Sequence, residues 1–143
     1  VKSGDVSIGV RLVDGKFPDY KQIIPKENNT KITASRAEFL SAIKRVSLVT
    51  TDKNKAVKFK LEGDKLTVSS SSPEYGEATE SIVVDTEGES LSIGFSSRYL
   101  VDLLQGMQDS EKISIKLNGE EGAGVFSGDD ENYICIVMPM RFE

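Results

Sequence analysis

One pattern occurs twice in this sequence, and it restricts the fold more than composition does. Residues 30–34 read as a short strand, and Ser35-Arg36-Ala37-Glu38 matches a capping box, in which Ser35 and Glu38 satisfy free amides at a helix start. The helix should run over residues 36–50. At about 100° per residue, Phe39, Ala42, Ile43 and Val46 gather on one face, with Val49 at its edge. Ser41, Lys44, Arg45 and Leu48 point the other way. Three strands follow at 56–61, 65–70 and 78–85, with a turn at Gly63-Asp64 and a loop around Ser72-Pro73-Glu74. The order then repeats. A strand at 91–95 leads to Ser96 or Ser97 as cap, a helix to about residue 108, and strands at 112–117, 122–127 and 132–138, with Asn118-Gly119 as the first turn. In the second helix Tyr99, Leu100, Leu103, Leu104 and Met107 form the apolar stripe, opposite Arg98, Asp102 and Gln105.

A strand–helix–three-strand unit repeated once, with a period of about 60 residues, is a duplication rather than a solenoid. Each unit has one amphipathic helix and a largely antiparallel set of strands. Helices gathered on one face of antiparallel sheets are the α+β solution for burying both apolar surfaces. The outward helix faces then make one exposed layer holding Lys44, Arg45, Arg98, Gln105 and Gln108.

The beginning of the chain fits this scheme less well. Residues 6–13 read as an opening strand, yet nothing before them can pair with it, and lone strands are unstable. The first residue is Val1, so the expectation is a fragment of a longer native protein. With 143 residues, of which 38% are apolar and 29% charged, the chain can bury one real core. No run approaches the roughly 20 apolar residues of a membrane span, and no signal peptide is visible, so a cytoplasmic location is expected. Cys135 is the only cysteine and lies between Ile134 and Ile136, which predicts an inert buried thiol.

Several chemistries are excluded. The chain has no histidine, so the usual base of serine and cysteine triads and the usual nitrogen ligand of zinc are missing. Gly119-Glu120-Glu121-Gly122-Ala123-Gly124 carries acid where a phosphate loop needs amides and base, and reads as a hairpin. Asp129-Asp130-Glu131 lacks the spaced ligands of a calcium loop and reads as a solvated turn. No carboxylate pair stands out. The expectation is a non-enzyme without metal or cofactor. A net charge of −5 also opposes a protein that holds nucleic acid by phosphate contacts alone.

The two ends are unusual. Ile136-Val137-Met138-Pro139-Met140-Arg141 leaves two methionines around a proline, and thioethers suit surfaces that accept varied apolar side chains. Near the start, Gly15-Lys16-Phe17-Pro18-Asp19-Tyr20 is followed by Ile23-Ile24-Pro25. Together they suggest an oily groove for partner peptides, set against the plainer possibility that Met138 and Met140 plug a core.

The run Arg11–Tyr20 and the ending Val137–Arg141 resemble the bacterial DNA polymerase III beta subunit family, the sliding clamps of replication. The resemblance covers essentially the whole chain. It implies that residues 1–24 are the last strand of a preceding clamp domain plus a connector, and 25–143 the third domain. It implies a processivity factor: a head-to-tail homodimeric ring that encircles duplex DNA without sequence preference. The two helices would line the hole, with Lys44, Arg45, Arg98, Gln105 and Gln108 toward DNA, and the acidic turns would lie away from it. A ring held by topology needs only weak phosphate contacts, which answers the charge objection. Leu48 and Val49 match the dimer contact, so a chain lacking the first domain should not close the ring. Polymerase, clamp loader and repair proteins would dock a motif of glutamine plus two large apolar side chains on Pro18, Gln22, Ile23, Ser96, Tyr99, Ile136, Met138, Pro139, Met140 and Arg141. Gln22 stands where arginine is frequent in the family and Ser96 where asparagine is, so the preferred motif should shift. Part of the groove wall would belong to the middle domain, so peptide binding by the fragment should be weakened. The alternative is a generic peptide-binding α+β module unrelated to DNA, with a hydrolase using scattered carboxylates a distant third.

Overall fold

In the computed structural model, residues 1–16, 19, 22–25, 27–51, 55–130 and 133–141 are described. Phe17, Pro18, Tyr20, Glu131 and Asn132, which figure in the expectations above, lie outside the described residues. The strand expected over 6–13 is reduced to a two-rung hairpin, in which β1 (Lys2–Ser3) pairs with β2 (Val6–Ser7). Val6, Ile8, Val10 and Leu12 are all exposed, and among the described residues β1 and β2 pair with no further strand that could cover an apolar side.

From Thr30 onward the expected order holds. It runs β3 (Thr30–Ser35), α1 (Arg36–Val46), β4 (Ala56–Glu62), β5 (Lys65–Ser72), β6 (Gly76–Val83), β7 (Asp85–Gly88), β8 (Leu91–Ser96), α2 (Ser97–Gly106), β9 (Lys112–Leu117), β10 (Gly124–Ser127) and β11 (Ile134–Val137). α1 ends four residues before the predicted position 50 and tightens into a 3₁₀ turn, Ser47–Val49. The Ser47 hydroxyl donates back to the Ile43 carbonyl and Thr50 Oγ1 to the Ser47 carbonyl, so local hydroxyls compete with the α-helical ladder. The strand predicted over 78–85 breaks at Val84. That residue is buried, and its N–H donates to the Asp64 carbonyl at 2.9 Å, which turns the chain out of one sheet and into the other as β7.

Two antiparallel sheets result, with strand orders β11-β10-β9-β3-β7 and β6-β5-β4-β8. The duplicated units are interlocked. β3 opens the first unit but pairs with β9 of the second, and β8 opens the second but pairs with β4 of the first. Equivalent bonds tie the helix starts across: the Arg36 N–H donates to the Glu111 carbonyl at 3.0 Å and the Ser97 N–H to the Lys55 carbonyl at 2.7 Å. Neither unit completes a sheet alone, so the duplication folds as one body.

Four buried rings join the halves: Phe39–Phe59 at 5.4 Å, Phe59–Phe95 at 5.5 Å and Phe95–Phe126 at 5.6 Å. Their tilted and edge-on geometries suit the aromatic quadrupole. α1 and α2 pack against each other, and Arg36 donates from Nε to the Ser110 carbonyl at 2.8 Å and from Nη1 to the Leu104 carbonyl at 3.3 Å. A cation at the carbonyl end of α2 meets both unpaired acceptors and the negative end of the helix dipole. The Ser35 hydroxyl accepts from the Glu38 N–H at 3.5 Å, the Ser35 half of the expected capping box. Ser96 takes the cap position of α2, but its side chain makes no capping bond.

The predicted stripe of α2 needs one correction. Leu100, Leu103, Leu104 and Met107 are buried, whereas Tyr99 is 62% exposed. It sits in the first helical turn, at the stripe's edge, beside a cleft instead of beneath a sheet. Cys135 is half-buried and not enclosed, because β11 is the outer strand of its sheet.

Candidate partner-binding groove

The outer strand β11 and the first turns of α2 leave between them a cavity of about 560 Å³. Tyr99, Asp102 and Leu103 line it from the helix, and Tyr133, Cys135, Ile136, Val137 and Met138 from the strand. Tyr99 and Met138, 62% and 64% exposed, give it two large, uncovered, mainly apolar walls. A second cleft of about 510 Å³ adjoins it, bounded by Lys55, Ser96, Arg98, Tyr99, Met138, Pro139 and Met140. A third, of about 840 Å³, lies along the far side of the tail and reaches Arg141. Met138 borders all three.

Among the described residues, a main-chain bond from the Met140 N–H to the Gly94 carbonyl at 2.8 Å ties the tail to β8. Pro139 has no N–H to add a rung, and its ring fixes φ, so the methionines flank a stiff link. Both are exposed, which excludes the core-plug reading.

Ser96, Tyr99, Ile136, Met138, Pro139 and Met140 thus come together around the first two cavities, with Arg141 in the third. Gln22 and Ile23 are exposed and line none of the three. Gln22 closes a local turn instead, its N–H donating to the Asp19 carbonyl at 3.0 Å and Nε2 to Asp19 Oδ2 at 3.1 Å. Pro18 lies outside the described residues. Reading the sequence missed Asp102, Leu103, Tyr133, Cys135 and Val137 as walls of the first cavity. The available signals were the one-turn spacing of Tyr99 and Leu103 and the strand alternation of Tyr133, Cys135 and Val137. Cys135 holds the Tyr133 phenol above its usual range, first through its negative charge when ionised and then through their hydrogen bond. At neutral pH that phenol is an uncharged donor at the cavity's edge.

On the helical layer, Lys44, Arg45, Arg98, Gln105 and Gln108 are all exposed. Arg45 reaches across to β6, where Nε meets Glu80 Oε1 at 2.7 Å and Nη2 meets Oε2 at 3.2 Å. This two-pronged bond raises the Arg45 pKa and lowers that of Glu80. Arg98 lies 4.0 Å from Asp102 one turn on. Leu48 is 80% exposed and Val49 half-buried, at the end of the 3₁₀ turn.

Two side-by-side helices on interlocked antiparallel sheets, with a groove at the last strand, define a DNA-clamp domain. The family model described as DNA polymerase III beta subunit, C-terminal domain, matches residues 21–141, and the chain belongs to that family. The beta sliding clamp of Pseudomonas putida is 34% identical over 142 residues, covering 97% of this chain. That of Bacillus subtilis is 35% identical over 144 residues, covering 98%. The chain spans 38% of each relative's length. Among solved structures, a Pseudomonas aeruginosa sliding clamp bound to griselimycin superposes with a TM-score of 0.86 at 29% identity, over 92% of this chain and 36% of that one. The Thermotoga maritima beta subunit does so with 0.86 at 34%, over 93% and 36%.

Proposed function

We propose that this chain is the partner-docking domain of a ring-shaped processivity clamp, which encircles duplex DNA and tethers the replicative polymerase and other enzymes. Residues 25–143 form that domain, and residues 1–24 are the end of the one before it. The observation that carries the reading is the groove between α2 and β11. Tyr99 and Met138 stay open to solvent there although the neighbouring stripe is buried, in a chain matched to this family almost end to end.

The division of labour follows from the chemistry of each surface. The cavity beside Leu103 and Ile136 takes the two large apolar side chains of a docking motif, and the Ser96–Pro139 cleft takes its glutamine. Ser96, which lines that cleft, tunes which motif is preferred. The layer of Lys44, Arg45, Arg98, Gln105 and Gln108 faces the duplex with weak contacts that permit sliding, weak because Arg45 is partly satisfied by Glu80. Leu48 and Val49 meet the first domain of a second subunit, a heterologous contact that closes a head-to-tail ring. The work is done in the cytoplasm, by topology and tethering.

A synthetic peptide carrying glutamine followed by a Leu-Phe pair, titrated into the full-length protein, tests the groove. Saturable binding that protects Tyr99 and Met138 is the expected outcome, and no binding refutes it.

A further inference from the structure

The third cleft exposes a difference between the two halves of the duplication. On the outer edge of β3, β7 adds a complete strand, pairing from Thr30↔Gly88 to Thr33↔Asp85. Among the described residues, the equivalent outer edge of β8 carries one rung, from the Met140 N–H to the Gly94 carbonyl. Two residues back, the Ser92 N–H donates to Glu120 Oε1 at 3.0 Å, a side chain from the turn between β9 and β10. A sheet edge finished by one carboxylate is only provisionally closed. Glu120 is exposed and regains water when it leaves, so a peptide carbonyl can take the same N–H at little cost.

We propose that the outer edge of β8 is a second docking segment. An extended polar stretch of the partner, on the glutamine side of its motif, adds there as a fifth strand to the four-stranded sheet. The proposal rests on the groove reading for the position of the motif. Met138 borders all three cavities, so a peptide anchored beside Tyr99 that continues past Pro139 arrives at Ser92. The third cleft is polar, with Lys58, Glu120, Glu121 and Arg141 on its walls, which fits a polar extension and not another apolar anchor. Main-chain pairing supplies the affinity, as in other strand additions.

The test uses the full-length protein and two peptides: the motif alone, and the motif with four polar residues added on its glutamine side. Titration calorimetry should show the extended peptide binding about three- to ten-fold tighter. Glu120→Ala should widen that gap by freeing the amide. Ser92→Pro should close the gap with the short peptide's affinity unchanged, since proline is tolerated where an edge N–H faces outward. If Ser92→Pro does not fold, hydrogen exchange decides: the Ser92 amide in Glu120→Ala should become protected only with the extended peptide. Equal affinities of the two peptides for both wild type and Glu120→Ala overturn the proposal while leaving the groove intact. Protection of Ser92 in Glu120→Ala without peptide also overturns it, because the protein then closes that edge by itself. Failure of the short peptide to bind removes the groove reading and this proposal with it.

Discussion

Replacing Met138 with alanine separates a docking surface from a core plug. The side chain is 64% exposed, so the free protein gains little from it and loses little when it is cut back. Fully burying a methionine is worth about 1.5–3 kcal/mol. A partner can cover only the fraction still exposed, so truncation should weaken motif-peptide binding by about 1–2 kcal/mol, or roughly five- to thirty-fold in Kd. Stability should stay within about 0.5 kcal/mol of wild type. Met107 is the control: it is 4% exposed against the other core side chains, and Met107→Ala should cost about 2–5 kcal/mol in stability. Peptide anisotropy and urea unfolding on the same three proteins give both quantities. Unchanged affinity for Met138→Ala, or a stability loss on the scale of Met107→Ala, refutes the reasoning.

Two further outcomes follow from the rest of the structure. Because Arg45 holds the Glu80 carboxyl below its ordinary range, the pair's contribution is present above the unfolded carboxylate pKa and is lost as pH falls through the lowered folded value. Wild type should therefore melt slightly higher than Glu80→Gln near pH 7, the two should converge once the pH falls below the lowered folded value, and salt should shrink the difference, since Arg45 is exposed and Glu80 only half-buried. A gap that persists in acid contradicts the pairing. Gly88 has φ +119°, and a Cβ there would run into the Asn29 carbonyl oxygen. Gly88→Ala should lower stability by about 1–3 kcal/mol in urea unfolding, because the obstacle is main chain; an unchanged midpoint contradicts it.

What the sequence conveyed and what it withheld divide along the range of the interactions. The strand–helix–three-strand order was legible because caps, turns and apolar periodicity are local, and Ser35, Gly63 and Phe39 to Val46 each sit where those signals put them. The interlocking of the units was not, since β3 pairing with β9 joins residues about eighty positions apart and leaves no local trace. β7 was missed because Asp85-Thr86-Glu87-Gly88 is short and polar, an edge strand without alternation. The end of α1 was overrun because periodicity continues to Val49 while the hydroxyls of Ser47 and Thr50 redirect the backbone. For the groove, Met138 and Met140 were noticed from their placement around Pro139, but thioethers serve cores and surfaces alike, and only the fold showed them open. Arg45 read as a free cation until the fold brought Glu80 beside it from 35 positions away.

Retention on DNA of differing topology addresses the clamp itself. The full-length protein, placed by its loader on nicked circular DNA, should stay bound through gel filtration in high salt and should be lost once a single cut makes the circle linear. Equal retention before and after the cut, or release from the intact circle by salt alone, would contradict a ring that holds DNA by encircling it.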